Sequence, residues 1–569
     1  MKPFIISAIL LALICLPICS SFGAAKALPA ASGPEFASIT SQTLMEEIRT
    51  LSSDEFEGRA PGSHGEDLAI HYIADQFKKG GVEPGNSDGT YFQKVPLVGI
   101  AADHGAELNF TNDGRKTTLR FGDDFVAWTE RVTETSTIDA DMVFVGYGVV
   151  APEFKWDDYK DVDVRGKVIV MLVNDPPVPD PKDPSQLDPK VFGGKAMTYY
   201  GRWTYKYEIA AQKGAVGALI VHETGPAGYP WDVVKGSWSV EQFNLESKDN
   251  NMSKVAAQGW ITNQRARELF RSSGNDLDAL KNAAVRRDFR PVDLHTRATL
   301  TLQNKIRRIA SNNVVGKVTG SDPKLKDEYV IYTAHWDHLG IGFPNAKGDK
   351  IYNGAQDNAS GTAGLIELAR AFKALPTPPR RSMLFLSVTA EEKGLLGSRY
   401  YAENPIYPLA KTLADINMDV LNVYGPTRDV TVVGLGNSSL DDVLRQAAAE
   451  KHRVLRPDPQ PEVGGFYRSD HFNFAKQGVP ALDPDSGIDY VGKPAGWGLK
   501  KREEYTENDY HKPSDEIKPD WDLAGAVEDL KLFATVGYRV ANASAYPVWS
   551  PGTEFKARRE AMLRDAGLQ

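Results

Sequence analysis

The sequence predicts an α/β protein, a mostly parallel sheet flanked by helices, that carries an inserted and mostly β domain. Three observations predict it. After residue 304, apolar strand-like runs alternate with helical stretches, the pattern of a parallel sheet. Several of those runs end on His, Asp or Glu, as they do when a site is built beyond the carboxyl ends of parallel strands. Residues 96–303 have another texture, with short β-like runs separated by Pro-rich stretches.

Taken in order, Met1 and Lys2 precede an apolar run over residues 4–18, and small residues follow at Ser20, Ser21, Gly23, Ala24 and Ala25. The run is too short for a good membrane span. Residues 1–26 therefore read as a secretory signal, cleaved near Ala25 or Ala27. This predicts an exported chain, periplasmic or extracellular, with no membrane span in its mature form. Cys15 and Cys19 are the only cysteines, so the mature chain would have neither disulfides nor thiolate ligands. Residues 34–95 read as the first part of the main domain. Leu44, Ile48 and Leu51 fall at helical spacing, then a loop dense in Gly and charge spans 54–65, then Leu68, Ile70, Ile73 and Phe77 mark a second helix that stops at Gly80 and Gly81. The insert, 96–303, shows β-like runs at 141–150 and 167–173, and a helix-then-strand unit at 207–213 and 217–222. It has no cluster of His and carboxylates at ligand spacing and reads as lacking chemistry of its own. Residues 304–545 form the second part of the main domain. Its strands are expected at 329–334, 382–389, 413–418, 430–435 and 479–482, and its helices at 362–375, 439–452 and 523–542. Residues 546–569 are a tail. A net charge of −9 gives no basic footprint, which argues against a nucleic-acid binder.

The chemistry gathers at the strand ends. His335 and Asp337 close the first strand, and Asp357 follows in a Gly/Asn/Ser turn that opens a helix. Glu391 and Glu392 follow the second strand, Asp419 the third, and His511 lies in a polar loop before the last helix. Imidazole and carboxylate donors without thiolate suit Zn²⁺ with a position left for water, and Co²⁺ or Mn²⁺ can take such a site. Four carboxylates in one cleft repel unless cations neutralise them, which favours two metals, and an Asp between two ions can bridge them. Adjacent strand-end residues point apart, so one of Glu391 and Glu392 can hold metal while the other takes a proton from water. Asp337 stands where it can accept the ring N–H of His335 and fix its tautomer.

The stretches TAHWDHLG, GAQDNASGTAGLIELAR, SVTAEEKGLLGSRYY, INMDV, YRSDHFNFAKQGVPAL and YHKPSDE resemble the two-zinc exopeptidases related to bacterial leucyl aminopeptidases and glutamate carboxypeptidase. LSSDEFEGRAPGSHG resembles the lead-in of that family, and GYGVVAP, GKVIVMLV and AAQKGAVGALIV resemble its inserted protease-associated (PA) domain. The resemblance implies the zinc-exopeptidase (phosphorylase/hydrolase-like) fold. It implies that His335 and Asp419 hold one zinc, Glu392 and His511 the other, and Asp357 bridges them. Glu391 would be the general base and Asp337 the orienting carboxylate. Tyr467 would help hold the oxyanion, although Phe466 stands where some relatives carry that tyrosine. His338 and His471 read as structural. The implied reaction is hydrolysis of a terminal peptide bond by metal-activated water, with peptide or protein N-termini as substrate. The same site would serve a carboxypeptidase or dipeptidase, and an Arg clamp for a carboxylate would mark that case; Arg399 and Arg468 lie near the site in sequence. A non-catalytic binding protein on this fold is the reading from another class, and the intact donor set argues against it.

Overall fold

The structure, a computed structural model, describes residues 34–568. The expected signal peptide, with Cys15 and Cys19, lies outside the described residues. The centre of the main sheet is four parallel strands in the order Ser382–Val388, Tyr329–His335, Thr412–Asn417 and Ala481–Ser486. Every residue of the first three is buried, as expected for parallel strands covered on both faces. Side-chain alternation divides the cover. Tyr332 and Phe385 stack at 5.8 Å between ring centres and meet Phe372 of helix Gly361–Lys373. Ile331, Leu384 and Leu386 pack instead with Tyr401 and Phe474, from helices Leu396–Glu403 and His471–Lys476. Two antiparallel strands flank this centre, the last part of Val292–Val318 on one side and Asp429–Val433 on the other.

Strand Val292–Val318 is 27 residues long and serves two sheets. Up to Gln303 it pairs with Thr135–Phe144 of the insert, and from Asn304 it pairs with Phe92–Ala102 in the main sheet. The insert sheet continues through Val168–Leu172, Gly217–His222 and Ala257–Thr262, all parallel. The expected insert boundary at 95/96 falls inside Phe92–Ala102. By composition that strand resembles the insert, but its partner at every residue from Phe92 to Ala102 belongs to the main sheet. Helix Trp497–Asn508 was not expected from the sequence, since its segment is charged and lacks a clear apolar stripe. Among the described residues no helix is long and apolar enough to cross a membrane.

Candidate metal centre

Five donor side chains converge beyond the carboxyl ends of the parallel strands. Nε2 of His335 lies 3.2 Å from Oδ1 of Asp419 and 3.3 Å from Oδ1 of Asp357. Nε2 of His511 lies 2.9 Å from Oε2 of Glu392 and 3.3 Å from Oδ2 of Asp357. Asp357 thus presents one oxygen to each histidine. Its loop is fixed from behind, where the Asp515 carboxylate accepts the backbone N–H groups of Gln356 and Asp357, both at 3.0 Å. The peptide bond between Asp357 and Asn358 is cis. Three residues at the rim hold left-handed backbone without being glycine: Ala390 just before Glu391, Val420 just after Asp419, and His511 itself. Such conformations cost on the order of 1–3 kcal/mol each and persist where surrounding structure imposes them.

The spacing fits a metal as well as it fits hydrogen bonding. Donors at roughly 2.0–2.1 Å from a tetrahedral zinc stand about 3.3 Å apart, close to the separations above. Nε2 of His511 and Oε1 of Glu392 are buried and have no aligned hydrogen-bond partner. His335, Asp357 and Glu392 alone bring three ligand atoms within 4.8 Å of one another. The metal-free charge balance points the same way. Burial pushes His511 down, but Glu392 and Asp357 outweigh it and lift its pKa to about 9. His335 is likewise raised, against its burial, by Asp419 and Glu391. Protons on these imidazoles occupy the place that cations would take.

The floor of a cavity of about 760 Å³ carries Asp357, Glu391, Asp419 and His511, and Thr224, Gly228 and Tyr229 of the insert form part of its wall. Residues 313–535 match the description Peptidase family M28. This segment is thus similar to that family. Leupeptin-inactivating enzyme 1 of Streptomyces exfoliatus is 27% identical over 314 residues, covering 54% of this chain and 61% of that protein. Aminopeptidase YwaD of Bacillus subtilis (strain 168) is 25% identical over 247 residues, covering 43% of this chain and 48% of that protein. The chain therefore spans less than two thirds of either relative. The solved aminopeptidase from Aneurinibacillus sp. strain AM-1 shares the fold, with a TM-score of 0.52, 19% identity, and coverage of 89% of this chain and 94% of that one.

The matched segment brings together His335, Asp357, Glu391, Glu392, Asp419 and His511. It uses Asp337 differently from the sequence expectation. Nδ1 of His335 meets the backbone carbonyl of Asp337 at 3.1 Å, while the carboxylate stands 3.8 Å away and accepts instead the backbone N–H of Glu391 at 3.0 Å. The divergence of Glu391 and Glu392 comes from the turn opened by Ala390, since both lie past the end of the strand. Tyr467 makes no contact with the five donors but lines a side cavity that reaches Glu391, Glu392 and His511. It packs among Phe466, Phe472 and Tyr199, because residues 465–467 form a short turn that faces the hydrophobic cluster around Phe472 and Trp549. Of the tyrosines that line the main cavity, Tyr510 is stacked on the donor His511, at 3.9 Å. His338 is nearer the centre than a purely structural reading implies, with Nδ1 2.6 Å from Oε1 of Glu392.

Three contributors escaped sequence reasoning. Asp515 belongs to the quoted motif YHKPSDE and could have been singled out there. Arg59 lies in the Gly-rich loop, fully buried, and donates to the carbonyls of Trp336, Leu51, Asn353 and Gly354. Ser237 belongs to the insert, yet its Oγ stands 2.9 Å from Nδ1 of His511. The insert is therefore not without a part in the site.

Proposed function

We propose that the protein is an exported two-zinc exopeptidase that removes N-terminal residues from peptides, with the insert serving as a PA domain that walls the substrate cavity. The observation that carries this reading is the donor geometry, in which Asp357 stands 3.3 Å from each of two histidines that have separate carboxylate partners. His335 and Asp419 would hold one ion, Glu392 and His511 the second, and Asp357 would bridge them. When bound, such ions polarise a carbonyl and bring the pKa of water toward roughly 7. Glu391, close to the donors and in the cavity floor, takes the proton of the attacking water on its carboxylate and returns it to the leaving amine. The backbone bond from Glu391 N–H to Asp337 holds that carboxylate in place. Tyr510, which lines the cavity and stacks on His511, would donate its hydroxyl to the oxygen of the attacked carbonyl.

A second reading, a carboxypeptidase or dipeptidase on the same site, is favoured by one observation. Arg202 of the insert is 7% exposed, forms no ion pair among the described residues, and has a buried Nε without a partner. Burial and then the charge of Arg468 lower its pKa to about 9. Both arginines line a side cavity that also reaches Glu391, Glu392 and His511. Two guanidiniums so placed suit a substrate carboxylate. Arg399 does not join them, being paired with Glu403 at 2.9 Å.

The deciding test is hydrolysis, with zinc present, of aminoacyl anilides with free or acetylated amines, and of peptides scored at each end. Loss of turnover on acetylation, with release from the N-terminus, supports the aminopeptidase. Release from the C-terminus, impaired by Arg202→Met for free-acid but not for amidated peptides, supports the second reading. Absence of both turnover and bound metal rejects both.

A further inference from the structure

Each histidine of the donor cluster must present Nε2 as a lone pair, so each must carry its ring proton on Nδ1 and needs an acceptor there. For His335 that acceptor is a backbone carbonyl two residues along the same chain segment. For His511 it is the hydroxyl of Ser237, 274 positions away in sequence. Ser237 is 6% exposed and sits near the end of helix Trp231–Trp238 of the insert. The helix is anchored at this end. Nε2 of Gln242 donates to the carbonyl of Ser237 at 2.9 Å, and Trp238 stacks on Trp128 of the insert core at 5.7 Å. His511 itself has a left-handed backbone, φ 56°, and its ring lies over Tyr510. Stacking sets the plane of that ring but leaves open which nitrogen faces the carboxylates, and the hydroxyl decides it.

We infer that Ser237 is a positioning residue for the second metal position, so that the insert supplies part of the metal centre and not only a wall of the cavity. The inference rests on the two-metal reading above. Its consequence is an asymmetry between the two positions. The His335 position is oriented by its own segment, whereas the His511 position depends on the docking of the insert.

The test is stepwise zinc binding to full-length, chelator-stripped protein, followed by competition with a chromophoric chelator, together with the visible spectrum of the cobalt-loaded form. Ser237→Ala should weaken one zinc equivalent by about 10–100-fold, the usual effect of losing such a partner, and leave the other unchanged. The cobalt bands of the weakened position should shift. Ser237→Thr and Ser237→Val have nearly the same shape, so their difference reports the hydroxyl even if either disturbs packing, and only Thr should restore the second equivalent. Wild-type affinity for both equivalents in the Ala and Val variants, with unchanged cobalt bands, overturns the inference while leaving the two-metal reading intact. Fewer than two equivalents in the wild type rejects that reading and the inference with it.

Discussion

At the scale of single residues, the donors other than His511 were legible because each follows an apolar run or opens a helix, where one residue's position fixes its address. His511 sits in a polar loop and stood out only through the motif YHKPSDE. The uses of Asp337 and the tyrosine were not, because they depend on backbone turns of a few residues. The carboxylate of Asp337 ends on the Glu391 N–H because the chain turns at Ala390, with φ 52°. Tyr467 and Tyr510 both line the side cavity, but only Tyr510 also reaches the larger cavity and stacks on His511. Two predictions belong here. Glu391→Gln keeps shape but cannot take a proton, so kcat should fall by about 10²–10⁴-fold, with zinc content by metal analysis unchanged. Tyr510→Phe should lower kcat on the order of 10²-fold if its hydroxyl serves the oxyanion, whereas Tyr467→Phe should leave kcat unaltered in the same assay. The reverse pattern would return the role to Tyr467.

At the scale of elements, the parallel strands of the main sheet could be read from their unbroken apolar runs, and the helices that cover them from their stripes. The loop Asp54–Arg59 could be seen as a loop, but its purpose could not, since its partners lie about three hundred residues on. It folds through left-handed residues Glu57, Gly58 and Arg59, and this turns the Arg59 side chain inward. Four carbonyls from Leu51, Trp336, Asn353 and Gly354 converge on its guanidinium, joining the first helix to the segments that carry His335 and Asp357. Gly58 is required at its place: with φ +66°, a Cβ there would stand 2.4 Å from the carbonyl oxygen of Tyr352. Arg59→Met should therefore destabilise the protein by about 1–3 kcal/mol for each carbonyl left without a partner, and Gly58→Ala should also destabilise it. Denaturant unfolding of both variants checks this. An Arg59→Met protein as stable as wild type would mean that the four carbonyls find other partners.

At the scale of the whole molecule, the shared strand Val292–Val318 makes the insert continuous with the main sheet, and the acidic centre lies where the two meet. Burial of so many ionisable groups in one place should govern how stability depends on pH and metal. Burial raises Asp515 to about 6 and Asp337 to about 7. His511, pushed down by burial, is lifted to about 9 by Glu392 and Asp357. For all three the metal-free folded chain holds a proton that the unfolded chain has already released, so stability falls as pH rises. The two aspartates contribute that loss between the ordinary carboxylate range and their folded values. The contribution of His511 is complete below about 6.5 and disappears as pH climbs through about 9. Glu392 and Asp357, held low by histidine contacts that outweigh their burial, act in the opposite sense, and only as pH drops below the ordinary carboxylate range. Over about pH 5–9 the chelated protein should thus show a declining Tm. Zinc competes with the same protons and binds the folded state, so at saturation it should raise Tm most at the alkaline end and flatten the slope. Thermal melts of chelated and zinc-loaded protein across that range measure both. A chelated protein whose Tm rises with pH would show that the buried histidines are not the groups that balance the carboxylates when the metal is gone.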